Sequence, residues 1–164
     1  MVEVADVPDA SDRGRREVYA AELMAFDGTE LELVEPLAVV QAFVEQLLSA
    51  PWWPGRHVTV RAARRDALAS TTRIATTSHA AEIRLAGPQC TRATAVHELA
   101  HVLAGPDEGH GAQFRRAHVD LAAVAFGAER GGWLAEAYAD AGLGLGARTW
   151  PETSAAGPGH VIAL

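Results

Sequence analysis

A helical segment with a clear beginning and end, residues 91 to 106, constrains this chain more than any other feature. Thr91 is a typical N-cap residue, and Gly105-Pro106 is a strong signal for the end of a helix. Between them, apolar residues flank His97-Glu98-Leu99-Ala100-His101. Residues four positions apart lie on the same face of an α-helix, so both histidines can present a ring nitrogen to a single ion. The segment therefore predicts a helix that carries two ligands of a metal ion.

Glu98 follows the first of these histidines and lies about 100 degrees further around the helix axis. This offset places its carboxylate beside the ion instead of on it. A zinc ion with an open coordination position activates a water molecule, and a neighbouring carboxylate can accept the proton of that water as it attacks a carbonyl. We therefore predict a zinc-dependent hydrolase in which His97 and His101 bind the metal and Glu98 is the general base.

Catalytic zinc sites usually have three protein ligands, so a third residue is needed. His110 follows His101 by nine positions, and the glycines and proline between them allow the chain to turn back. Glu136 is an alternative, because it begins a Glu-x-x-x-Asp pattern that other zinc hydrolases use for the third ligand. His118 is a further alternative, although it shares a helix face with apolar residues and is more typical of a core. We predict that His110 completes the ligand set.

Composition limits the class of protein. A chain of 164 residues is long enough for one domain with its own hydrophobic core. No stretch of the sequence approaches the roughly 18 consecutive apolar residues of a membrane-spanning helix. Cys90 is the single cysteine, so a zinc site must use histidine and carboxylate ligands. The acidic start lacks the pattern of a secretory signal, which predicts a cytoplasmic protein that is not bound to a membrane.

Charge is unevenly distributed along the chain, whose formal net charge is -7. Residues 1 to 50 carry eleven acidic side chains and three arginines, whereas residues 56 to 84 carry six arginines and two acidic side chains. A local basic stretch can contact phosphates, but an acidic chain is repelled by bulk nucleic acid. Nucleic-acid binding through Arg61, Arg64 and Arg65 is therefore an alternative and not the main prediction.

The order of the predicted elements indicates an α+β domain. Periodicity and turn signals predict a helix or strand over 15–24, a short strand over 29–34, a helix over 36–51, strands within 57–61 and 72–85, the helix of 91–106, and helices over 110–127 and 133–141. Strands are grouped before the last helices instead of alternating with them, which favours the α+β class. We expect one domain over 14–142, flanked by disordered tails over 1–13 and 143–164.

The two histidine motifs together carry a resemblance. The segment His97-Glu98-Leu99-Ala100-His101 followed by His110-Gly111-Ala112-Gln113-Phe114-Arg115 resembles the SprT-like and WLM-type minimal zincins. In these proteins a His-Gly-x-x-Phe or similar segment supplies the third zinc histidine. The chain is also similar to small metallohydrolases of high-GC bacteria, which share a segment like Arg16-Glu17-Val18-Tyr19-Ala20-Ala21-Glu22. The specific part of the resemblance covers residues 97–121.

The resemblance implies a zincin-like fold and a metallopeptidase that acts on peptide or protein substrates. In this fold a small, mostly antiparallel sheet packs on helices, and the helix with the HExxH motif is central. The strand before that helix would lie at the cleft, where a peptide can pair with its exposed edge, and residues 83–85 would form this strand. The chain departs from SprT-like proteases because it has no C-terminal cysteine-rich zinc ribbon, which argues against DNA-linked proteolysis.

Three alternatives use the same residues. They are a non-catalytic binding module that is stabilised by zinc, a non-proteolytic amide hydrolase and a DNA-associated protease. Asp120 has two interpretations, a hydrogen bond to a ligand histidine or simple solvation. Tyr138 has two as well, stabilisation of an oxyanion or packing in the core.

Overall fold

The computed structural model describes residues 14–78 and 80–151. Within these residues the elements are, in chain order, helices α1 (Arg15–Phe26) and α2 (Leu37–Leu48), strands β1 (Val58–Ala62), β2 (Thr71–Ile74) and β3 (Ala81–Leu85), and helices α3 (Arg92–Ala104), α4 (Ala112–Phe126) and α5 (Ala128–Asp140). Short 3₁₀ turns occupy Glu30–Glu32 and Gly87–Gln89. This content confirms the α+β class. Neither the five α-helices nor the 3₁₀ turns of the described residues meet the length and hydropathy of a membrane-spanning segment.

The three strands form one mixed sheet with the order β1-β3-β2. β1 pairs with β3 in parallel, and β2 pairs with β3 in antiparallel orientation. The expectation of a mostly antiparallel sheet is therefore wrong for one of the two pairs.

The strand at the edge of the sheet also differs from the expectation. β3 contains residues 83–85 and is the central strand, because the turn after β2 folds it back on β2 while its other edge pairs with β1. Its alternate residues Ala81, Ile83 and Leu85 are buried, as suits a central strand. The prediction that residues 83–85 form the exposed edge is therefore wrong. Among the described strands, β2 is the edge strand on the side of α3.

Local hydrogen bonding explains why residues 29–34 do not form the predicted strand. The alternating residues 29–34 suggest a strand, but the Thr29 side chain accepts a hydrogen bond from the backbone N–H of Leu31 at 3.3 Å. Such side-chain bonds compete with extended structure and favour a turn. The segment accordingly forms the 3₁₀ turn Glu30–Glu32.

α3 is the central helix of the molecule. Nine of its thirteen residues are buried, and it packs against α4, α2 and the strands β2 and β3. Its polar residues His97 and Glu98 therefore lie inside the protein, next to core side chains such as Leu99 and Phe114. α5 packs against α4 and α1.

Residues beyond α5 pack against α4 and belong to the folded unit. Arg148 makes two hydrogen bonds to the Asp120 carboxylate, at 2.5 and 2.9 Å, and the Trp150 indole donates a third at 2.9 Å. Trp150 is buried. The folded unit thus extends beyond residue 142, the predicted boundary, and the Asp120 carboxylate is buried against Arg148 and Trp150 instead of being simply solvated. Residues 1–13 and 152–164, which were predicted to be tails, lie outside the described residues.

Candidate metal centre

Three histidine side chains converge at one point beside α3. One ring nitrogen from each of His97, His101 and His110 lies within 4.8 Å of the other two. The Nε2 atoms of His97 and His110 are 3.3 Å apart. A tetrahedral zinc ion with Zn–N distances of about 2.0–2.1 Å holds two ligand nitrogens about 3.3–3.4 Å apart. The structure therefore brings together the three predicted ligands, and the distance between two of them fits a tetrahedral ion.

The connection between α3 and α4 places His110. Gly109 has a φ of 55°, a left-handed conformation that glycine adopts without steric cost. The Glu108 carboxylate accepts a hydrogen bond from the backbone N–H of Gln113 at 2.8 Å, which satisfies one of the exposed donors at the start of α4. Arg115 donates to the His110 carbonyl at 2.9 Å. These local bonds fix the backbone around His110 to the first turn of α4.

A buried carboxylate from α1 orients the first histidine. Glu22 Oε2 lies 2.9 Å from His97 Nδ1, and both side chains are buried. A proton on Nδ1 donated to this carboxylate leaves the Nε2 lone pair directed at the cluster, as in the carboxylate–histidine–metal arrangement of zinc proteins. Burial opposes ionisation of His97, but the Glu22 carboxylate outweighs it and raises the pKa of the imidazole.

This role of Glu22 is not predicted from the sequence, where the residue lies only within the segment that resembles other metallohydrolases. The available signal is its position on α1, where it shares the buried face with Val18, Ala21 and Ala25. An acidic residue on an otherwise apolar face needs a buried partner, and a histidine ligand is one such partner.

Two further buried polar side chains, His118 and Tyr138, lie behind Glu22 in the core. His118 Nε2 is 3.8 Å from Glu22 Oε1, and His118 Nδ1 is 2.7 Å from the Tyr138 hydroxyl. Burial lowers the pKa of His118 to about 3, so this ring is neutral at neutral pH. Burial also raises the pKa of Tyr138. Both residues are inside the protein and do not line the cleft, so Tyr138 takes the packing role.

Glu98 stands beside the cluster, as the motif predicts. Its side chain lines the same cleft as His101 and His110, and Thr72 of β2 donates a hydrogen bond to its Oε2 at 2.6 Å. Burial raises the pKa of the Glu98 carboxyl, while His97 and the Thr72 hydroxyl act in the opposite direction. A carboxylate whose pKa is raised towards neutral pH is a better proton acceptor and donor in catalysis.

The cleft has a volume of about 360 Å³ and is lined by two different walls. Arg15 and Tyr19 of α1 form one wall, and Thr71, Thr72 and Ile74 of the edge strand β2 contribute to the other. The Tyr19 ring is stacked on the His97 ring with 5.2 Å between centroids.

Burial and the neighbouring histidines lower the pKa of His101 to about 2, so its nitrogen is available as a neutral ligand.

The remaining candidates lie outside this cleft. Glu136 is exposed on α5. Within the described residues, two groups of side chains could hold a metal ion, and Glu136 belongs to neither the group of His97, His101 and His110 nor the group of Glu22, His97 and His118. Arg61 lies 3.5 Å from Glu82 on the sheet, and Arg64 and Arg65 are exposed in the loop after β1. None of these arginines lines the cleft.

Comparison of the chain with protein-family models finds no match, and comparisons with curated proteins and with solved structures find none either. The resemblance to SprT-like and WLM-type zincins therefore stays a hypothesis that rests on residues 97–121. The function has to be inferred from the geometry of the site itself.

Proposed function

We propose that this chain is a zinc-dependent hydrolase of peptide bonds. Its ligands are His97, His101 and His110, and Glu98 is its general base. The observation that carries the proposal is the convergence of three imidazole nitrogens in a cleft that Glu98 also lines. A site of three imidazole nitrogens suits zinc among the common divalent ions. When bound, zinc supplies a Lewis acid that activates water and polarises the carbonyl of the substrate.

Glu98 accepts the proton of the attacking water and then transfers it to the leaving amine. The Thr72 hydroxyl, 2.6 Å from Oε2, fixes the orientation of the carboxylate for this transfer. Burial raises the pKa of Glu98, which helps the same group to take up and release a proton near neutral pH. Behind the ligands, the hydrogen bond between Glu22 and His97 keeps the Nε2 of His97 directed at the metal position.

The edge strand supports a peptide as the substrate. β2 lies at the edge of the sheet and lines the cleft through Thr71, Thr72 and Ile74. An extended peptide can add to such an edge through backbone hydrogen bonds, which would align its carbonyl groups along the cleft. A small amide without an extended backbone would gain nothing from this edge.

The test compares wild type with Glu98→Gln, which keeps the size of the side chain and removes the base. Peptide hydrolysis is measured on a mixed peptide library by mass spectrometry, and zinc content by elemental analysis. We expect hydrolysis to fall by at least about 100-fold while zinc content is unchanged, because Glu98 moves the proton but does not bind the ion. Glu136→Gln, at an exposed position, is the matched control and should change neither quantity.

Each other outcome identifies which part of the proposal is wrong. Full hydrolysis by Glu98→Gln would reject this residue as the base. Zinc binding by wild type without any hydrolysis would favour the non-catalytic binding module. Retention of zinc by His110→Ala, with loss of zinc from the Glu136 variant, would show that Glu136 and not His110 is the third ligand.

A further inference from the structure

One face of α1 is held against the metal ligands. Arg15, Tyr19 and Glu22 are spaced by four and three residues and therefore share a face of this helix. Glu22 bonds to His97, and Tyr19 stacks on the same ring. The Arg15 guanidinium carbon lies 5.7 Å from the centre of the Tyr19 ring, within the range of a cation–π contact. Two separate contacts thus set the position of this face relative to the metal site.

The cleft carries a positively charged side chain on one element and a carboxylate on another. Among the described residues that line it, Arg15 is the only permanent cation and Glu98 is the only carboxylate. Burial has the largest influence on the pKa values of Glu98 and His101, and the Arg15 charge lowers both. With a divalent ion bound, the carboxylates of Glu22 and Glu98 balance the charge of the ion. Arg15 then makes its wall of the cleft attractive to an anion.

We infer that Arg15, with Tyr19 beside it, forms a subsite for a carboxylate of the substrate. The enzyme would then select peptides with a negatively charged group next to the bond that it cleaves. A guanidinium presents planar pairs of N–H donors that match the two oxygens of a carboxylate, and such pairs are among the stronger hydrogen bonds in proteins. The inference rests on the proposed function, because the subsite is a wall of the same cleft.

The carboxylate has two possible sources with the same chemistry. It is either the C-terminal carboxylate of a short peptide or the side chain of an aspartate or glutamate near the scissile bond. Arg15 would contact either group in the same way.

The experiment uses two small ligands that differ only in charge, the monohydroxamate of succinic acid and the same compound with its carboxylate converted to an amide. The hydroxamate group anchors both to zinc. Their affinities for zinc-loaded protein are measured by calorimetry with wild type, Arg15→Met and Arg16→Met. Arg16 is exposed on the same helix and does not line the cleft, so it is the matched control.

We expect wild type to bind the carboxylate form about tenfold more tightly than the amide form, because a charged hydrogen-bonded pair forms with Arg15. Arg15→Met should reduce this ratio to about one. Arg16→Met should keep the wild-type ratio. Equal binding of both ligands by wild type would overturn the inference, and so would an undiminished ratio in Arg15→Met. In either case, zinc-dependent binding of both ligands would still support the metal site. If neither ligand binds zinc-loaded protein better than EDTA-treated protein, the proposed function itself fails.

Digestion of the mixed peptide library by wild type and Arg15→Met separates the two sources of the carboxylate. Cleavage confined to bonds near C termini would identify the terminal carboxylate, and cleavage beside internal aspartate or glutamate would identify the side chain. Either preference should be lost in Arg15→Met. Cleavage by wild type without either preference would overturn the inference.

Discussion

Glu22 Oε2 lies 2.9 Å from Nδ1 of His97, one of the three proposed metal ligands. Glu22→Gln keeps the size of the side chain but removes the negative charge that His97 Nδ1 faces. Loss of such an outer carboxylate typically costs about 10–100-fold in metal affinity. We expect the dissociation constant for zinc to rise by about this factor in Glu22→Gln.

Competition with a chromophoric chelator measures this constant directly. Glu17→Gln is the control, because Glu17 is on the same helix and exposed. An unchanged zinc affinity in Glu22→Gln would mean that His97 is oriented by the protein backbone and packing alone.

Thr72 acts through its hydrogen bond to the neighbouring Glu98 side chain. Burial raises the pKa of Glu98, and the hydrogen bond from Thr72 partly offsets this rise. Thr72→Val removes the donor at nearly constant shape, so the pKa of Glu98 should rise further. The acidic limb of the pH profile of kcat/KM, which reports loss of the ionised base, should therefore move to higher pH. Thr72→Ser retains a hydroxyl and should restore the wild-type profile, whereas an unmoved limb in Thr72→Val would contradict this role.

At the scale of elements, the close approach of α4 and α5 depends on one glycine. A Cβ added at Gly131 would lie 2.6 Å from the Ala123 Cβ and 2.9 Å from the Ala123 Cα. Because the second atom belongs to the backbone of α4, the two helices would have to move apart. We expect Gly131→Ala to destabilise the protein by about 1–3 kcal/mol.

Gly132 offers a matched control on the same helix. A Cβ at Gly132 has nothing within 4 Å, so Gly132→Ala should gain helix propensity of about 0.5–1 kcal/mol without a clash. Urea unfolding measures both changes. Equal effects of the two substitutions would show that the packing of α4 on α5 does not require glycine.

At the scale of the whole molecule, buried neutral histidines make folding sensitive to acid. Burial lowers the pKa of His118 to about 3. An unfolded histidine has a pKa of about 6.5, so below this pH the unfolded chain binds a proton that the folded protein does not. The stabilisation is therefore complete above about pH 6.5 and falls by about 1.4 kcal/mol per pH unit below it, until the folded pKa is reached.

This contribution is isolated by comparing variants of the metal-free protein. Glu98 acts in the opposite direction below neutral pH, because its pKa is raised in the folded state by burial. The slope of wild type alone is thus a sum, and His118→Gln removes only the histidine contribution. Between about pH 6.5 and 5, urea unfolding of wild type should lose about 1.4 kcal/mol per pH unit more than His118→Gln does. Parallel slopes would contradict a neutral buried His118.

Metal binding should stabilise the whole fold, because the three ligands join α3 to the loop before α4. At a free zinc concentration about 100 times the dissociation constant, the free energy of unfolding should rise by about 2.7 kcal/mol. Calorimetric melting with zinc and with excess EDTA measures the change. The same zinc concentration should leave the melting temperature of His110→Ala nearly unchanged. An equal zinc effect on that variant would exclude His110 from the ligand set.

Much of α3, the helix with the HExxH motif, is determined by sequence within a short window. The Thr91 side chain accepts the backbone N–H of Thr94 at 3.1 Å, and Gly105, with a φ of 107°, ends α3. The spacing of His97 and His101 then follows from the helical period. These features depend on neighbouring residues, which is why the sequence alone predicts the helix, its ends and two facing histidines.

Only the tertiary structure decides which distant residues reach this helix. Glu22 precedes His97 by 75 positions, and Thr72 precedes Glu98 by 26, so no local pattern pairs them. The central position of β3 likewise depends on which strands pair across the sheet. The sequence by itself determines the motif, the helix that carries it and the α+β class. The placement of α1 and β2 beside α3 decides which carboxylate faces His97, which hydroxyl bonds to Glu98 and which strand forms the edge of the cleft, because these contacts form only when separate elements pack together.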